Sequence, residues 1–160
     1  MSIWGAVAGG FAGTLVLTTV LRAASEMRLT RIDLPFLLGT AVTSARRRAK
    51  LIGYFAHFGF GIAFALIYYW LFTVIGHSGW GLGAVFGLAH GLFSSTALVT
   101  VLLPAVHPRM GTSFSAVGSS PLLEPPGFLM LNYGRSTPIV ALVAHILYGT
   151  IVGGFISLAH

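Results

Sequence analysis

The chain has 160 residues, of which 56% are hydrophobic and only 8% charged, against roughly a quarter charged in soluble domains. With a mean hydropathy of +0.89, this composition excludes a soluble globular fold and leaves room for one compact membrane domain. Nine Lys+Arg face three Asp+Glu, and there is no cysteine, which excludes a disulfide framework and a thiolate metal site.

Residues 3–21 carry no charged side chain, and no basic segment precedes them, so the stretch predicts a first, uncleaved span rather than a signal peptide. Gly5, Gly9 and Gly13 recur every four residues on one helix face, a spacing that lets a second helix come close. Residues 22–50 then gather Arg22, Arg28, Arg31, Arg46, Arg47, Arg48 and Lys50 against Glu26 and Asp33. Inside that loop, residues 34–42 are apolar, opened by Asp33 with Pro35 close behind. An acidic cap followed by proline predicts a helix start. The piece is too short to span and is expected to lie along the membrane surface, with the arginines toward lipid phosphates.

Residues 51–75 form the second span, uncharged and with His57 as its one strongly polar side chain. A run of that length matches the thickness of a hydrocarbon core. A very short turn at 76–79 leads to a third span, 80–103, expected to stop at Pro104; Gly83, Gly87 and Gly91 again recur every four. Ser94, Ser95 and Thr96 follow, hydroxyls able to bond back to the preceding turn. Residues 104–135 make a long loop rich in Pro, Gly and Ser. Loops of that length are functional or disordered, and the apolar run 122–134 is expected to fold back on the helix ends with Glu124 paired to an arginine. The fourth span, 138–158, opens with Ser136, Thr137 and Pro138.

These elements predict an all-α fold: an antiparallel four-helix integral membrane bundle with a short interfacial helix in the first loop. All nine Lys and Arg fall in the two long loops, which the positive-inside rule places in the cytoplasm, with both termini outside. Trp4, Trp70 and Trp80 then fall at the opposite edge, as an aromatic belt does. The positive charge is therefore a topology signal, and the expected partners are the lipid bilayer and other membrane subunits or a second copy, with no nucleic acid.

Three histidines lie within spans, each followed four residues later by a small residue: His57 by Gly61, His90 by Ser94, His145 by Gly149. Gly53 precedes His57 and Ala141 precedes His145 by the same step, and Gly153 continues the last stripe. Counting helical rise puts His57 roughly 9 Å, His145 roughly 12 Å and His90 roughly 20 Å inside the cytoplasmic edge. A neutral imidazole is a good metal ligand, so His57 and His145 are the candidate ligands of a haem or chlorophyll-type pigment, flanked by Gly53, Gly61, Ala141 and Gly149, with His90 set apart. The competing reading is interhelical hydrogen bonding to groups such as Thr14, Thr18, Ser94, Tyr148 and Thr150. No span holds a carboxylate, and His107 and Glu124 share the second loop with Ser113, Ser115, Ser119 and Ser120 without triad spacing. No catalytic residue is assigned.

The second loop carries His107-Pro108-Arg109-Met110, then Leu123-Glu124-Pro125-Pro126-Gly127-Phe128, then Asn132-Tyr133-Gly134 leading to Ala144-His145 and Tyr148-Gly149. With Leu34-Pro35 to Gly39 and the His57 helix, these resemble a group of small bacterial four-span membrane proteins with no established activity. The resemblance covers nearly the whole chain and implies four spans and a bacterial inner membrane location. It marks His107, Arg109, Glu124, Asn132 and Tyr133 as loop motif residues and transfers no role. The expected function is a non-catalytic accessory or structural subunit. The alternatives are a haem- or pigment-binding subunit, or a small carrier or channel.

Overall fold

The computed structural model describes residues 1–111 and 122–159, and is helical almost throughout. Helix α1 spans Ile3–Glu26, α2 Leu34–Thr40, α3 Arg46–Ile75 and α4 Trp80–Phe93. From α4 the chain runs without a break through a π-helical segment, Ser94–Leu102, into α5, Leu103–Val106. A 3-10 turn, Phe128–Tyr133, precedes α6, Thr137–Leu158. Four of these helical runs, Ile3–Glu26, Arg46–Ile75, Trp80–Val106 and Thr137–Leu158, are long and apolar enough to cross a membrane. The fold is the antiparallel bundle expected of a membrane protein.

The helices outrun the apolar stretches that announced them. Helix α1 continues past residue 21 to Glu26, and α3 begins at Arg46 rather than 51. Hydropathy registers only the hydrocarbon-length core, while long charged side chains extend a helix beyond it. Arg22 shows this, bonding Glu26 one turn on at 2.8 Å. Pro104 does not end the third span. The π-helical segment before it bonds five residues back, and the wider turn relieves the clash of the proline ring with the carbonyl four residues earlier.

Helix α6 is the spine. Both α1 and α4 pack along it, α3 packs on α1, and α2 crosses α3. Every close backbone approach uses small residues. Gly5, Gly9 and Gly13 face Phe155, Val152 and Tyr148 of α6, while Gly83 and Gly87 meet Gly149 and Gly153 backbone to backbone. Gly91 rests on the His145 side chain, and Gly10 meets Ala65 of α3. All the glycine stripes therefore point inward.

Helix α2 is capped by Asp33, whose Oδ1 accepts the Phe36 N–H at 3.1 Å. It lies against α3 with Gly39 over Ala49 and Gly53 under Pro35, and Lys50 closes the contact at 3.1 Å from Asp33. The second loop folds back on the same bundle end, as expected for 122–134. Glu124 stands 3.4 Å from Arg31, the Arg31 guanidinium donates to the Asn132 carbonyl, and the Arg31 N–H donates to the Tyr133 carbonyl at 2.7 Å. Asn132 Nδ2 donates to the Pro125 carbonyl at 2.9 Å. His107 Nε2–H donates to the Leu37 carbonyl at 3.1 Å, its Nδ1 accepts the Arg109 N–H, and the Arg109 guanidinium reaches the Thr40 carbonyl. The loop motif residues are thus the fastening between the two loops. Ser113, Ser115, Ser119 and Ser120 lie outside the described residues.

Candidate functional site

Helices α3 and α4 are joined by a tight turn, yet their backbones stay apart. The reason is visible in the residues. Where α1 and α6 offer glycine, α3 offers Phe64, Tyr68 and Phe72 at steps of four, and α4 answers with Phe86 and His90. These rings bridge the seam near the turn: Phe72 lies 5.1 Å from Phe86, Tyr68 5.6 Å from Phe86, and Phe64 4.0 Å from His90 between centroids. Toward the loops the seam opens into a cleft of about 590 Å³, within the range of small-molecule sites.

The cleft is almost wholly apolar. Phe60, Ala63, Phe64 and Ile67 of α3 form one wall; Ser95, Leu98, Val99 and Leu102 of the π-helical segment form the other. Thr14 and Leu17 of α1 with Ala141, His145 and Tyr148 of α6 make the back. Leu34 and Leu38 of α2, together with Met130, close the loop end. The rim residues Phe60, Ala63, Ile67, Leu102 and Val106 are exposed, so the mouth opens on the side of the bundle. Met130 reaches its place through two consecutive residues with left-handed backbone, Leu129 at φ 50 and Met130 at φ 61. That conformation costs roughly 1–2 kcal/mol per residue, a strain held by the packing of buried Met130 and Tyr133.

His57, His90 and His145 all line this cleft. Their hydrogen bonds fix two tautomers. Thr18 Oγ1 gives its only hydrogen to the Thr14 carbonyl at 2.6 Å, so His57 Nε2, 3.1 Å from Thr18 Oγ1, must be the donor of that pair. His145 Nδ1 lies 2.8 Å from the Ala141 carbonyl; a carbonyl only accepts, so Nδ1 carries the hydrogen and Nε2 keeps its lone pair. Among the described residues, no group hydrogen-bonds His145 Nε2. His90 Nδ1 pairs with the Tyr68 hydroxyl at 3.3 Å, and its ring stands edge-on to His145 at 4.9 Å.

The position of His90 departs from the expected depth. The estimate counted α-helical rise back from Pro104, whereas the helix runs on to Val106 and is π-helical from Ser94. A π turn holds more residues and rises less per residue. Counted from Trp80 instead, His90 lies about 15 Å in, and His145 about 12 Å in from the other side, which meets it near mid-slab. The flanking small residues divide. Gly61 takes the Tyr148 hydroxyl on its carbonyl and Ala141 lines the cleft, but Gly53 packs under α2 and Gly149 against α4. Ser94 also lines the cleft, and Thr150 bonds back to Ile146.

Sequence reasoning missed Phe64, Tyr68 and Met130, and it read Ser95 as a hydroxyl bonding back to the preceding turn, a bond the structure does not show. Ser95 is 1% exposed and its hydroxyl has no partner among the described residues, while the single hydroxyl hydrogen of Thr100 is shared between the Ser95 carbonyl at 2.5 Å and the Gly127 carbonyl at 3.0 Å. The aromatic step of four on α3 was the available signal: bulky rings at a seam hold backbones apart where glycines let them close. Fold and site together define a membrane helix bundle with a lateral, histidine-lined apolar cleft. No family model, curated protein or solved structure matches the chain.

Proposed function

We propose that this small integral membrane protein of the bacterial cytoplasmic membrane binds a lipid-soluble small molecule in the cleft between α3 and α4. One observation carries the reading: a cavity of about 590 Å³, apolar, open sideways at exposed apolar rim residues, with His57, His90 and His145 along its lining. An apolar site with a few convergent polar groups is the usual form of a ligand pocket, and intramembrane histidines are functional candidates by default. Both basic loops are assigned to the cytoplasm and both termini to the outside, supported by the confinement of Lys and Arg to the loops and by exposed Trp4, Trp70 and Trp80 near one end of the bundle.

The accessory-subunit reading loses one of its motives, because the glycine stripes that invited a partner helix are already occupied within the chain. The carrier or channel reading gains none, because buried Tyr148, Val152, Phe72 and Ile156 fill the bundle interior. The experiment is solvent extraction of protein purified from native membranes in mild detergent. A lipid-soluble compound should accompany the wild type and be depleted from Ala63→Phe, which puts a ring into the mouth of the cleft. Equal extracts from both proteins would contradict the reading.

A further inference from the structure

We propose that the ligand is a metallotetrapyrrole, held in the cleft by His145 Nε2 as its single axial ligand. This rests on the reading of the cleft as a ligand site and names the chemistry that the site selects. The His145 ring is 9% exposed and lines the cleft. Its Nε2 lone pair has no partner among the described residues, and its other nitrogen donates to the Ala141 carbonyl at 2.8 Å. That second hydrogen bond is the arrangement metal-ligating histidines use: it fixes the tautomer, sets the ring and raises the basicity of the free nitrogen.

A bare ion would find too few donors. Among the described residues no three His, Cys, Asp or Glu side chains gather to hold one, and the cleft wall is hydrocarbon. A metal here has to arrive with most of its coordination already supplied and in an apolar carrier, which describes a tetrapyrrole. His57 also keeps a lone pair, on Nδ1, because its Nε2–H donates to Thr18; the ring set directly against His145 is His90, whose Nδ1 pairs with Tyr68, and His145 alone of the three is anchored through a backbone carbonyl. The His145 ring is held in place by its neighbours: the His90 ring stands edge-on to it at 4.9 Å, with Phe64 4.0 Å from His90, and Gly91 packs against the His145 Cβ.

The test uses zinc protoporphyrin IX, whose zinc takes one axial ligand, titrated into the purified full-length protein in detergent. The wild type should saturate at one porphyrin per chain with the red-shifted absorption of axial ligation, and His77→Ala, on the exposed turn outside the cleft, should keep both. His145→Gly should lose the shift and bind at least roughly tenfold more weakly, and free imidazole should restore the shift. Elution volume and helicity matching the wild type show that the variant is folded. An unchanged shift in folded His145→Gly, failure of imidazole to restore it, or no saturable binding by folded wild type would each overturn the proposal. If the wild type refuses the porphyrin while Ala63→Phe sheds a different co-purifying lipid-soluble compound, the tetrapyrrole falls and the cleft reading stands.

Discussion

Gly149→Ala tests the packing that leaves the cleft open. A Cβ built at Gly149 falls 2.6 Å from Gly87 Cα and 2.7 Å from Gly87 N, and closer still to the Gly83 carbonyl oxygen. Ordinary contact begins near about 3.5 Å, so α4 has to retreat along its whole seam with α6, since backbone cannot rotate away as a side chain can. Overpacking of this kind costs about 1–3 kcal/mol, offset by up to about 1 kcal/mol from the better helix propensity of alanine. The matched control is Gly59→Ala, where nothing lies within 4 Å and only the propensity gain remains. Unfolding in detergent, followed by helicity against denaturant, should show Gly149→Ala less stable than wild type and Gly59→Ala at or above it. Equal stability of the two variants would refute the inward assignment of the glycine stripes.

Further outcomes are expected. His57→Ala removes the bond to Thr18 and should cost about 0.6–1 kcal/mol, as intramembrane hydrogen bonds do, by the same unfolding measurement. Ser95→Ala deletes a buried hydroxyl without a partner among the described residues, so the ligand-free protein should be as stable or more stable, whereas Thr100→Val, which strips a tie between the π-helical segment and the second loop, should lower the melting temperature. Burial, and then the Glu124 carboxylate, push the Tyr133 hydroxyl up to about 12 from its ordinary value of 10.0, with Arg31 opposing. The neutral hydroxyl is the favoured folded form, so its stabilisation is complete below pH 10 and fades as pH rises toward 12; Tyr133→Phe should remove that part of an alkaline stability profile. Reporter fusions at residues 40 and 78 and at the C-terminus should read cytoplasmic, outside and outside, and a cytoplasmic signal at 78 would sink the topology.

The fold was largely legible because its causes are local. Uncharged runs of membrane length declare the spans, and Asp33 with Pro35 declares α2. The glycine stripes declared a face but not its direction: a step of four marks one side of a helix, and only the packed partner, α6, tells inside from outside. Of the site, His57 and His145 were legible as lining residues, since few polar groups enter an apolar span without purpose. His90 was misplaced by counting α-helical rise through Ser94–Leu102, whose five-residue bonding no hydropathy pattern signals. The cleft is a tertiary fact. It exists because Phe64, Tyr68 and Phe72 meet Phe86 and His90 where every other seam has glycine, and that contrast is between segments, not within one.

The most direct measurement of the central claim is the mass of the intact protein released from native membranes without passing through solvent. The account predicts a wild-type species carrying one additional lipid-soluble molecule per chain, absent when Ala63→Phe blocks the cleft. A wild-type mass equal to that of the bare chain, or an adduct carried equally by Ala63→Phe, would contradict it.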